Sequence, residues 1–224
     1  MIWNDHKQYE GTHAFLGASQ PRWLDWDDDT TADRYFSHFS APIGTAIHLL
    51  AHKCIVGRIK LNKGDKHLVD FCMYENYIPR IAYDADKILF NLVPFVNDAI
   101  GFHMQSEIVL FYSMDCYGTT DAISYDEKEH ILRIHDLKTG DSPADPRQLK
   151  IYAAYFYLEY KLKPSANQTI IRIYQNGDIY EEICDPAEIE KRIAEPCGKP
   201  PWWVWLAGIA AIAVAMIACF KRFQ

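Results

Sequence analysis

The sequence predicts an α/β fold in which helices wrap around a small mixed sheet, followed by a separate apolar segment at the C-terminus. Three observations carry that prediction. Apolar residues recur at helical spacing over 41 to 59 and 84 to 100; the period then drops to two across three segments between 106 and 138; and helical spacing returns over 147 to 162. The chain has 224 residues, enough for one sizeable core and too few for two comfortable domains.

Each element follows from its residues. In APIGTAIHLLAHKCIVGRI (41 to 59), Pro42 and Gly44 mark the start of a helix and Gly57 its exit, so His48 lies on that helix. Residues 84 to 100 (DADKILFNLVPFVNDAI) form a second helix with a kink expected at Pro94. Segments 106 to 113 (SEIVLFYS), 117 to 125 (YGTTDAISY) and 130 to 138 (HILRIHDLK) are rich in β-branched and aromatic residues and are joined by short turns, as in an antiparallel meander. A helix over 147 to 162 comes next, then a hairpin of 168 to 175 with 178 to 184 through Asn176-Gly177. The core order is therefore helix, three-strand meander, helix, strand, with added helices at the N-terminus.

The C-terminal segment Trp202 to Phe220 is an apolar run of nineteen residues without a charge. At about 1.5 Å per residue it spans roughly 28 Å, close to the ~30 Å of a bilayer's hydrocarbon core. Trp202, Trp203 and Trp205 cluster at one end and Lys221 with Arg222 close the other, the flanks of a transmembrane helix. The proline-rich stretch at 196–201 reads as a linker, which leaves 1–195 as the folded domain, 202–220 as the anchor, and the domain in the cytoplasm.

Composition narrows the function classes. A net charge of -7 excludes a protein that coats nucleic acid by bulk electrostatics, so any such contact must be local. The cysteines at 54, 72, 116, 184, 197 and 219 form no CxxC pair and read as reduced thiols. The N-terminus shows no apolar run behind a basic start, so no secretory signal is expected.

The chemistry concentrates in the meander. Side chains alternate along a strand, so Asp136 and Lys138 point to one side, and Asp121 in the preceding strand can meet Asp136 across the sheet. Two carboxylates beside a lysine suit Mg²⁺, a hard cation that takes oxygen ligands. Such a cation generates hydroxide and stabilises charge on a phosphodiester, while a lysine orients the water or the phosphate. On spacing alone, an Asp-Lys pair is more often an ordinary solvated pair.

Four motifs in order change the weighing: Gly44-Thr45-Ala46-Ile47-His48 on a helix, Gly118-Thr119-Thr120-Asp121 on a strand, Asp136-Leu137-Lys138-Thr139-Gly140 ending the next, and Gln148-Leu149-Lys150-Ile151-Tyr152 on the following helix. This pattern resembles the RecB-like clade of the PD-(D/E)XK (restriction-endonuclease-like) nuclease superfamily, over roughly residues 13 to 175. The segment from His13 to Trp23 also resembles the opening of phage and bacterial members. The resemblance implies that His48, Asp121 and Asp136 bind the metal, with the backbone carbonyl of Leu137 as a further ligand. It implies that Lys138 is the catalytic lysine, and that Gln148 and Tyr152 line the DNA side. Some clade members carry an iron–sulfur cluster on closely spaced C-terminal cysteines; Cys184 and Cys197 have no near partners here, so none is expected.

The implied activity is a Mg²⁺- or Mn²⁺-dependent deoxyribonuclease, an exonuclease of phage or bacterial recombination and repair, with DNA, the membrane and recombination proteins or a helicase as partners. Two rivals stand beside it: an inactive DNA-binding or membrane-scaffold protein on the same fold, and a membrane-associated defence endonuclease. Other residues read as less functional. Glu107 is balanced between supporting the metal and facing solvent, His52 reads as a surface residue, and His135 as packing under the sheet. The aromatic cluster from Tyr152 to Tyr160 reads as helix packing, and the acidic run Asp25 to Asp29 as a solvated loop.

Overall fold

The computed structural model describes residues 5–7, 14–140 and 142–194. The linker at 196–201, the apolar segment 202–220, His13, Cys197 and Cys219 lie outside the described residues.

The architecture is a five-stranded mixed sheet in the order β1-β2-β3-β4-β5 with helices on both faces. β1 (Gln105–Ser113), β2 (Cys116–Asp126) and β3 (Ile131–Leu137) make the antiparallel meander, close to the expected bounds. β4 (Gln168–Gln175) returns parallel to β3, and β5 (Asp178–Ile183) closes the sheet antiparallel to β4. The turn between them has Asn176 at φ 54° and Gly177 at φ 83°, the left-handed pair that a two-residue hairpin turn requires.

Helices α1 (Asp28–His38), α2 (Ser40–Val56), α3 (Lys66–Glu75) and α4 (Ala85–Gly101) precede the sheet. α5 (Arg147–Glu159) crosses from β3 to β4, and α6 (Pro186–Ala194) follows β5. Ala46, Ile47 and Ala51 of α2 and Leu92, Phe95 and Val96 of α4 bury against Ala122, Leu137 and Tyr174 of the sheet. Leu149, Ala153 and Tyr157 of α5, with Ile189 of α6, bury against Leu110, Ile134, Ile171 and Ile173 on the other face. Two cores thus clamp one sheet, and both owe their stability chiefly to removal of apolar surface from water.

Pro94 is accommodated inside α4, and Asp84 caps that helix by accepting from the amides of Asp86 (2.9 Å) and Lys87 (3.3 Å). Asp27, from the acidic run read as a loop, caps α1 by accepting from the Thr30 amide at 2.8 Å. Asp28–Val56 is long and apolar enough to cross a membrane by length and composition alone, yet its α2 half supplies six buried residues to the core beside α3 and α4. The cysteines depart in one place from the expectation of reduced thiols. Cys54, Cys72 and Cys184 are free and buried, whereas Cys116 is disulfide-bonded.

Candidate metal centre

The site forms where β2 parts from β3. Their backbone pairing runs from Asp126↔Ile131 to Ala122↔His135 and stops there. The next amide of β3 that faces β2, that of Leu137, donates instead to Asp121 Oδ2 at 2.8 Å. Within a strand the N–H and C=O of one residue point toward the same neighbour, so the Leu137 carbonyl faces the Asp121 side as well. Lys138 alternates to the other side and donates its amide to the Tyr174 carbonyl of β4 at 3.0 Å.

Asp121 Oδ1 lies 3.3 Å from Nδ1 of His48, which α2 carries to the mouth of this gap. The close approach of α2 depends on Gly44, where a Cβ would stand 3.1 Å from Thr139 Oγ1. Opposite Asp121 in the β1–β2 register stands Glu107, between the pairs Ser106↔Ala122 and Ile108↔Thr120. Ligand atoms of His48, Glu107 and Asp121 all lie within 4.8 Å of one another. Glu107 adopts φ 59° in the middle of a strand, a conformation that costs a non-glycine residue on the order of 1–3 kcal/mol and that recurs where function holds a side chain in place.

Asp136 sits beside this group. It is 5% exposed, and Lys138 Nζ lies 3.2 Å from its Oδ1 and 3.0 Å from its Oδ2. The approach to Oδ2 lacks hydrogen-bond geometry, which leaves that buried oxygen unsatisfied. Lys138 also donates to Gln148 Oε1 at 3.1 Å, and Gln148 Nε2 donates to the Tyr152 hydroxyl at 3.1 Å. α5 thereby holds the ammonium head in place. The Tyr152 ring packs over β2 at Gly118, where a Cβ would stand 2.6 Å from the ring.

The electrostatics are those of crowded acids. Burial raises the Glu107 carboxyl above its usual range and the charge of Asp121 adds to the effect. Burial likewise raises Asp136, reinforced by Asp121 and opposed by Lys138. Burial pulls the His48 imidazole down, but the hydrogen bond and charge of Asp121, with Glu107 and Asp136 behind them, outweigh it and leave His48 raised. A divalent cation fits His48, Glu107 and Asp121, because it would relieve the mutual repulsion of carboxylates that Asp136 adds to.

All the residues singled out from sequence therefore fall in one region: His48, Asp121, Asp136, Leu137, Lys138, Gln148 and Tyr152. The tight ligand group, however, is His48, Glu107 and Asp121, with Asp136 alongside and ion-paired to Lys138. His135 points away, fully buried, with its Nδ1 3.2 Å from the Tyr174 hydroxyl and its pKa pulled down by burial to about 3. His52 is half-buried; it lines a cleft of about 440 Å³ with His48, Glu107, Thr119 and Asp121, and its Nδ1 has no hydrogen-bond partner. Phe156 and Tyr157 pack in the core as read, while Tyr160 is 56% exposed.

No protein-family model matches the chain, and no curated protein matches it. Among solved structures, one described as "Crystal structure of SSO0001" is similar at 15% identity, over 67% of this chain and 72% of that one, with a TM-score of 0.29. A likeness at that level carries no argument.

Proposed function

We propose that the chain is a metal-dependent nuclease of the PD-(D/E)XK type, in its RecB-like clade, that hydrolyses DNA phosphodiesters from strand ends. The observation that carries this reading is the convergence of His48, Glu107 and Asp121 beside a buried Asp136–Lys138 pair. His48, Glu107 and Asp121 would hold a divalent cation, with Asp136 and the Leu137 carbonyl beside them, and Mg²⁺ or Mn²⁺ bound there would supply an activated water and compensation for charge developing on the phosphate. Lys138 would add its ammonium as an electrostatic stabiliser of that charge. Gln148 fixes that ammonium from α5, and Tyr152 holds Gln148.

The test compares end-labelled linear DNA with closed-circular DNA, using the full chain in detergent with Mg²⁺ or with EDTA. The expected result is cleavage of the linear form only, abolished by EDTA and reduced at least about 10²-fold by Asp121→Ala. Cleavage of both forms would turn the reading to an endonuclease. Absence of cleavage with either metal would leave a noncatalytic protein on this fold.

A further inference from the structure

The β1–β2 ribbon continues past the metal centre, beyond the point where β3 ends, and among the described residues one of its faces stays open. Leu110 and the Gly118 opposite it face α5, where Leu110 is buried and Gly118 lies under the Tyr152 ring. Alternation therefore puts Val109 and Phe111 of β1, and Tyr117 and Thr119 of β2, on the opposite face, in line with Glu107 and Asp121. On this face Val109 is 55% exposed, Phe111 45% and Tyr117 62%. Phe111 pairs directly with Tyr117, and their rings stack with centroids 6.3 Å apart and planes inclined by 24°. The ribbon is held from behind, where the Phe111 amide donates to Glu159 Oε2 of α5 at 2.9 Å.

We propose that this face is a base-stacking platform for the DNA strand whose phosphate lies at the metal centre. The inference rests on the nuclease reading and extends it to a substrate subsite. Tyr117 is four residues from Asp121, about 13 Å at roughly 3.3 Å per residue. That distance spans about four nucleotides of a stacked strand at roughly 3.4 Å each, and fewer of an extended one. Aromatic faces bind bases with little regard to sequence, which suits a nuclease that must take each successive nucleotide. A lipid surface fits the ribbon less well. Insertion would lead with the turn, where Asp115 stands exposed beside Met114, and would leave the stacked pair to one side.

The experiment uses the full chain in detergent and the double variant Phe111→Leu with Tyr117→Leu, which keeps apolar area and removes the rings. A second variant, Tyr117→Trp, restores a stacking surface. Affinity for a fluorescein-labelled single-stranded oligonucleotide is read by anisotropy in Ca²⁺, beside an oligonucleotide with abasic sites at the third and fourth positions from its end. Steady-state cleavage and Mg²⁺ calorimetry accompany both. The expected result is binding weaker by at least about tenfold in the leucine variant, KM raised with kcat and Mg²⁺ affinity kept, and near-wild-type binding for Tyr117→Trp. The wild-type preference for the intact over the abasic strand should vanish in the leucine variant. If the wild type cuts DNA and the leucine variant binds within about twofold of it, the platform is wrong and the nuclease reading stands. If the leucine variant keeps DNA affinity but loses binding to phosphatidylserine vesicles, the face belongs to lipid and the proposal is overturned. A wild type that neither binds nor cuts DNA removes the nuclease reading and the platform together.

Discussion

At the scale of single residues, Glu107 is the most informative. Its backbone is left-handed inside a strand, at a cost of about 1–3 kcal/mol, and its carboxylate lies within 4.8 Å of ligand atoms of Asp121 and His48. Glu107→Gly should separate the two effects. Glycine adopts φ 59° freely but loses about 0.5–1 kcal/mol of backbone entropy in a strand, so thermal unfolding in EDTA should show stability equal to wild type or higher by about 1 kcal/mol. Mg²⁺ affinity measured by calorimetry should fall. A variant that unfolds more readily in EDTA while keeping its metal affinity would return Glu107 to a structural role. The placement of this residue was legible in principle. Phe111 pairs with Tyr117, and counting back along that register brings 107 opposite 121. Strand composition alone leaves the β1–β2 register open, and with it the side of the sheet that Glu107 faces. Asp121, Asp136 and Lys138 were easier, because alternation alone puts 136 and 138 on one side of a strand.

At the scale of elements, the site depends on how closely α5 approaches β2. Gly118 permits that approach, and a Cβ there would stand 2.6 Å from the Tyr152 ring. Gly118→Ala should push the ring away, destabilise by about 1–3 kcal/mol as overpacking does, and lower kcat by loosening the Gln148 that holds Lys138. Adding Tyr152→Leu should recover stability but not turnover, as denaturant midpoints and single-turnover rates would reveal. Full activity in Gly118→Ala would detach Tyr152 from the site. Helices and strands with a strong period were readable: α2, α4, α5 and the strands fall near their expected bounds. The sequence does not mark α1, α3 and α6, for physical reasons. They have only 11, 10 and 9 residues, too short for several repeats of the period. The parting of β2 from β3 at Asp121 was also invisible, since it depends on a side chain replacing a backbone partner.

At the scale of the whole molecule, two cores share one sheet, and the candidate site sits where β2 parts from the end of β3, in the cleft beside α2. The segment Trp202 to Phe220 adds a proposal of its own, that the chain is tethered to a membrane. The full chain should resist carbonate extraction from membranes, whereas a chain ending at Glu195 should not; recovery of the full chain in the soluble fraction without detergent would remove the anchor. The central claim is that Lys138 acts on the transition state and the neighbouring acids act on the metal. The most direct measurement is single-turnover cleavage of linear DNA by Lys138→Ala, with Mg²⁺ calorimetry and DNA binding in Ca²⁺ on the same preparation. Metal and DNA affinities near wild type and a rate lower by about 10²-fold or more are expected. A Lys138→Ala chain that cuts linear DNA at the wild-type rate would contradict the claim.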